Sequence, residues 1–141
     1  YADVMLMKAE ALIEQNKDLD EARRLINDIR RRADRSVDPS YEPVDCNPMV
    51  ASYYVGQYPA TGWTQDYARK AVRMERRIEL AMEGLRWFDL VRWGNVVETM
   101  NNYYASEAKI RSYYHGASLT EDEIYLPIPI NQVDNAGDIY K

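Results

Sequence analysis

Apolar residues along the first third of the chain recur at helical spacing. In residues 1–14, Tyr1, Met5, Ala9 and Leu12 share one face, with Ala2, Leu6 and Ile13 beside them, the offsets of an amphipathic helix. Asn16-Lys17-Asp18 reads as a turn. Asp18 followed by Glu21 resembles a capping box in which an acidic side chain replaces the usual serine or threonine. A second helix then carries Ala22, Leu25, Ile26, Ile29 and Ala33 on one face. The small side chains of Ala9, Ala11 and Ala22 would let two antiparallel helices approach closely. Residues 1–35 are thus expected to form a helical hairpin. Such a hairpin has to stack on neighbours to bury its face.

From Ser36 the periodicity disappears. Residues 36–63 hold Pro39, Pro43, Pro48, Pro59, Gly56 and Gly62, and structureless segments of more than about 12–15 residues are usually functional or disordered. Tyr41, Tyr53, Tyr54 and Tyr58 sit in this segment, with Trp63 at its exit. Exposed aromatic faces of this kind stack on the apolar C–H face of a pyranose while a phenol still hydrogen bonds; the alternative is that they anchor the loop to the helices beneath. On the first reading the candidate ligand contacts are Trp63, Tyr58, Tyr54 and Tyr53.

Thr64 is a plausible N-cap, with Asp66 in the first turn. A third helix is predicted to lead through Tyr67, Ala71, Met74 and Ile78 into Met74–Gly94, where Gly84 marks a bend or break and Gly94 stops the helix. If that stretch is one helix, Arg76, Glu79, Glu83, Arg86, Asp89 and Arg92 form one stripe of largely alternating sign. The rest of its circumference is apolar and contains Trp87, Phe88 and Trp93. A helix apolar nearly all round is usually buried, so the stripe is expected to be a buried structural ion ladder.

A weaker helical pattern follows at Val96, Val97, Met100 and Tyr104, and dissolves into Tyr113-Tyr114-His115-Gly116. In Tyr125–Ile130 the prolines at 127 and 129 exclude helix. That segment reads as an extended strap laid across a helix core, with an edge strand as the other option, and Asn131 could cap a short final turn. The chain is therefore expected to be all-α and a single domain over 1–141: hairpin 1–35, aromatic-rich loop 36–63, core helices 64–94, and helix, loop and strap 95–141.

Composition narrows the chemistry. At 141 residues there is room for one core. A formal charge of -5 provides no overall footprint for nucleic acid. The arginines at 30, 31, 32 and 35 are instead read as cations at a negative helix end. No apolar run approaches the roughly 18 residues of a membrane span. Cys46 is the single cysteine and His115 the single histidine; neither suggests a metal site or a nucleophile. Glu75, Glu79 and Glu83 lie at four-residue spacing, but nearby arginines are expected to hold them ionised, and no di-iron Glu-x-x-His pair is present. No catalytic constellation, metal or cofactor is expected.

Residues 75–94, ERRIELAMEGLRWFDLVRWG, closely resemble the signature near the carboxyl end of the SusD/RagB family. YADVMLMKAEALIE with EARRLINDIRRRA upstream, and YLPIPINQVDNAG downstream, match in the same order. The matching signature residues are Glu75, Arg76, Arg77, Glu79, Glu83, Gly84, Arg86, Asp89, Arg92, Trp93 and Gly94, read as structural. The tail AGDIYK departs from the family's ending. The resemblance makes the hairpin a tetratricopeptide-like unit. Because Tyr1 lies already in helical register with no start signal before it, it also implies the carboxyl-terminal part of a longer protein. It further implies a lipid-anchored protein of the Gram-negative outer membrane surface, its anchor upstream, which captures oligosaccharides, or in some members peptides, for a TonB-dependent SusC-like transporter. A protein-binding helical-repeat scaffold is the alternative function, and a hydrolase is disfavoured.

Overall fold

The computed structural model describes residues 1–36, 55–136 and 139. Those residues are all-α, as expected, with no strand among them. In chain order they form α1 (Ala2–Glu14), α2 (Leu19–Ser36), α3 (Gln65–Glu79), α4 (Arg86–Arg92), α5 (Val96–Glu107), two 3-10 turns at Ser112–Tyr114 and Glu121–Glu123, and α6 (Ile130–Asn135). The chain divides into two compact units, Tyr1–Gly84 and Leu85–Lys141.

The first unit is built on α1, α2 and α3. Leu6, Ala9 and Ile13 of α1, Ala22, Leu25, Ile26 and Ile29 of α2, and Ala68 and Val72 of α3 make one buried cluster. Ala9, Ala22 and Ala68 are completely buried, and their size lets the three backbones approach closely. Ala11, expected at that interface, is exposed. The buried line of α1 runs through Leu6 and Ile13, so Tyr1 falls outside it and is exposed.

Local chemistry sets the turn between α1 and α2. Asn16 adopts φ 51°, its N–H bonds to Ile13 O at 3.0 Å and that of Lys17 to Leu12 O at 2.9 Å, the paired bonds of a Schellman stop. Asp18 Oδ1 then accepts the Glu21 N–H at 3.1 Å, which is the forward half of the expected capping box. The Glu21 carboxylate goes instead to Lys8 of α1 at 3.0 Å and to Arg24 at 2.6 Å. A turn this short makes α1 and α2 antiparallel. The long segment before α3 permits a different return: the start of α3 lies at the end of α1, where Arg69 Nε meets Glu14 at 2.8 Å. Its end lies at the start of α1, where Arg76 Nη1 meets Asp3 at 2.8 Å. Hence α3 runs antiparallel to α1 and in the direction of α2. Thr64 caps α3 as anticipated, accepting the Tyr67 N–H at 3.3 Å.

The stretch 74–94 is not one helix. Met82 (φ 70°) and Gly84 (φ 76°) are both left-handed, and two such residues within three positions cannot continue an α-helix. Three-residue turn bonds, Ala81 N–H to Ile78 O and Glu83 N–H to Leu80 O, close α3 there. The six charges therefore share no continuous face, and the expected stripe is corrected as follows. Arg76 pairs with Asp3 of α1 and Glu79 with Arg32 of α2. Glu83 is exposed. Arg86 and Arg92 both lie over the Trp93 ring, and Arg92 also holds Asp89 at 2.9 Å. Arg76 and Asp89 are buried, whereas Ile78 and Phe88, expected to be buried on an all-round apolar helix, are 57% and 67% exposed.

In the second unit Gly94 (φ 70°) ends α4 as expected. Its N–H bonds to Val91 O at 3.0 Å and that of Asn95 to Leu90 O at 3.2 Å, again a Schellman stop. Asn101 of α5 fixes the later chain by pairing both amide atoms with the backbone of Leu119 at 3.0 and 2.8 Å. The proline segment is non-helical, as its composition requires, and α6 begins at Ile130 after Pro129. Leu126, Ile128 and Ile130 are exposed, so the strap does not lie buried on helices as expected: alternation alone carries no information about what faces it.

Two measurements test this account. A Cβ at residue 94 meets nothing within 4 Å, so Gly94→Ala should cost only the left-handed backbone penalty of about 1–2 kcal/mol in urea unfolding; a neutral result would deny the Schellman stop. Hydrogen bonds from Arg24 and Lys8 hold the Glu21 carboxyl down to about 2, from 4.5. A group lowered on folding contributes its full stability above 4.5 and loses it as pH falls toward 2. Glu21→Gln should therefore flatten the decline in stability between pH 4.5 and 2, read by thermal unfolding.

Candidate functional site

The segment entering α3 is fixed by side chains of α2. Asn27, buried, donates from Nδ2 to Tyr58 O at 3.0 Å and accepts the Tyr58 N–H at Oδ1 at 2.8 Å. Arg30 donates from Nε to Gly56 O and lies over the Tyr58 ring, 4.9 Å from its centroid. Arg31 pairs with Asp28 at 2.7 Å. Arg30, Arg31 and Arg32 are thus engaged with carboxylates, a loop carbonyl and a ring, which explains their density better than a helix end alone.

Tyr58, Trp63 and Tyr67 form an aromatic triad with centroids 5.5 to 6.0 Å apart. Tyr58 and Trp63 pack against the hydrophobic cluster, and the Trp63 indole N–H donates to Leu19 O at 2.8 Å. Burial pushes the Tyr58 phenol up. These two candidate contacts are therefore half-buried and partnered within the fold, and Tyr67 has the most exposed ring of the three. Tyr53 and Tyr54, the other two candidates, lie outside the described residues, as do Tyr41 and Cys46.

Beneath the triad, Glu75 of α3 is buried and accepts from Arg30 Nη1 at 2.9 Å. Burial pushes this carboxyl above its ordinary value, outweighing the Arg30 bond that pulls it down. A buried carboxyl of raised pKa is often catalytic, but Glu75 is bonded to its guanidinium partner and is absent from the lining of two cavities among the described residues. One cavity is an open groove of about 440 Å³ beside Asn27, Arg31 and Gln57. The other, about 380 Å³, lies in the second unit between Val91, Val97 and Tyr125. His115 is exposed, its Nε2 2.9 Å from Ala108 O. Among the described residues no three metal-ligating side chains come together.

A second aromatic group is missed by sequence reasoning. Tyr103 and Tyr104 of α5 and Tyr113 and Tyr114 of the following 3-10 turn converge. Tyr114 stacks on Tyr104 at 5.7 Å and lies 4.6 Å from Tyr113 and 5.8 Å from Tyr103. Tyr113 is 71% exposed and Tyr103 42%. The two Tyr-Tyr dipeptides were the available signal, but only the fold of residues 108–112 apposes them.

A family model described as the SusD family matches residues 1–141. SusD-like protein P38 of Formosa agariphila is 35% identical over 100 residues, which are 71% of this chain and 17% of that protein. SusD-like protein P2 of the same organism is 36% identical over 92 residues, 65% of this chain and 15% of that protein. The chain thus spans only 17% and 15% of the length of these relatives.

Removing the Glu75 carboxylate strands a largely buried Arg30. Glu75→Ala should cost about 3–5 kcal/mol, the range for breaking a buried pair by deleting one partner. A loss below about 1 kcal/mol in chemical denaturation would show that water reaches the pair.

Proposed function

Because this chain belongs to the SusD family, we propose that it is part of a non-catalytic nutrient-binding component of an outer-membrane uptake system. The protein captures oligosaccharides, or peptides, and delivers them to a TonB-dependent SusC-like transporter. It is held at the cell surface by a lipid anchor in the longer protein. The observation that carries this reading is the family match over the full chain.

The chemistry of the described residues agrees. Glu14, Glu75 and Glu79 sit in ion pairs with arginine, and six of the tyrosines gather into two aromatic groups with exposed members. Aromatic rings with a polar tip suit a ligand that is apolar on one face and hydroxylated at its rim. Of the four sequence candidates, Trp63 and Tyr58 contribute by fixing the segment that leads into α3. The described helices pack as a hairpin plus a third helix, and a protein-binding scaffold remains the second function class because helical hairpins of this kind serve both.

Purified full-length protein should be retarded in affinity gels cast with its polysaccharide and should release no reducing ends from it. Product release would make the protein a hydrolase. Failure to bind any member of a broad glycan and peptide panel, with retained binding to a partner protein, would leave the scaffold.

A further inference from the structure

We infer that the cavity of about 380 Å³ in the second unit, with Glu98 and Glu121 in its lining, is a binding pocket for an aliphatic cation presented by a peptide. The cation is a lysine side chain or an apolar residue with a free amino terminus. This rests on the nutrient-capture reading above, and of the two ligand classes there it takes peptides, the one that carries aliphatic cations.

The lining consists of two kinds of group. Val91 of α4, Val97 of α5 and Ile124 behind the second 3-10 turn are apolar, whereas Glu98, Glu121 and Tyr125 offer carboxylates and an aromatic ring. No basic residue is among the described lining, and Arg92, the guanidinium closest to it in sequence, is held by Asp89 at 2.9 Å. A ligand that satisfies both kinds has a hydrocarbon body and a positive end. The valines and Ile124 remove the body from water, while the carboxylates and the tyrosine ring attract the charge. An anion is disfavoured, because the start of α5 contributes only about half a positive charge against two carboxylates.

The pocket is also assembled before any ligand arrives. Asn101 of α5 ties both amide atoms to Leu119 at 3.0 and 2.8 Å, which anchors the chain just before the 3-10 turn. Thr120 then donates its N–H and its hydroxyl to Glu123 at 2.8 and 2.9 Å. The Glu123 carboxylate is thereby engaged in the turn, and Glu121 is the acidic residue of that turn that lines the cavity. Little ordering cost remains for binding. The volume lies within the roughly 300–1,000 Å³ of small-molecule sites.

The test titrates the full-length protein calorimetrically with three peptides: leucyl-tetraglycine, its amino-acetylated form, and an acetyl-diglycyl-lysyl-diglycine amide. Wild type should bind the first or the third more tightly than the acetylated, uncharged form, and which of the two binds identifies the source of the cation. Glu98→Gln and Glu121→Gln should each weaken that binding about 2- to 5-fold, and the double variant about 4- to 25-fold, with an unchanged thermal midpoint. The wild-type preference should shrink as salt is raised. Tyr125→Ala should weaken binding of the cationic peptide about 2- to 5-fold. Equal affinity for the acetylated peptide, or undiminished binding by the double variant, overturns the pocket, and nutrient capture stands if a broad glycan and peptide panel still yields a ligand. Absence of binding to these peptides and to that panel overturns both.

Discussion

The first unit depends on charge pairs that cross between helices. α3 carries Glu75 and Arg76 next to each other, and they reach in opposite directions, to Arg30 of α2 and Asp3 of α1. Both are buried beside Ala71, Val72 and the alanine-lined core. A buried charge without its partner is costly, so α3 can sit only where both partners are met at once. Apolar packing alone would tolerate a slide of one turn; two opposed ion pairs do not. The same pairs draw in the loop, because the guanidinium that meets Glu75 also holds Gly56 O and the Tyr58 ring.

The aromatic residues follow from that arrangement. Tyr58 and Trp63 are pinned by Asn27 and by Leu19 O, which makes them part of the scaffold while leaving an edge of the triad open at Tyr67. In the second unit Asn101 plays the role of Asn27, tying both atoms of its amide to a single backbone residue. Asn27 fixes the backbone of Tyr58 itself, so that ring is held by polar geometry as well as by packing on the core. Rings held this way keep a face toward solvent.

Glu14, Glu75 and Glu79 are matched by arginine, and the rings of both aromatic groups are only partly covered, an arrangement that agrees with the ligand capture proposed for the longer protein. The chain belongs to the SusD family, and its matched relatives are several times longer than it.

Helix existence and most caps were legible in the sequence, because periodicity, Asp18, Thr64 and Gly94 act within a few residues of themselves. The all-α class and the buried faces of α2 followed from the same local patterns. Four things were decided only by tertiary structure. The charge stripe split because Met82 took a left-handed conformation that no local rule assigns to methionine, and its members then found partners on α1 and α2. The Glu75 carboxyl was pushed up because burial, a property of the assembled core, outweighed its arginine. Asn27 and Asn101 became clamps through contacts 31 and 18 positions away. The group of Tyr103, Tyr104, Tyr113 and Tyr114 joined two dipeptides that spacing alone does not bring together. Short-range chemistry determined where each helix starts and stops; which side chains meet depended on long-range apposition, which a one-dimensional pattern does not encode.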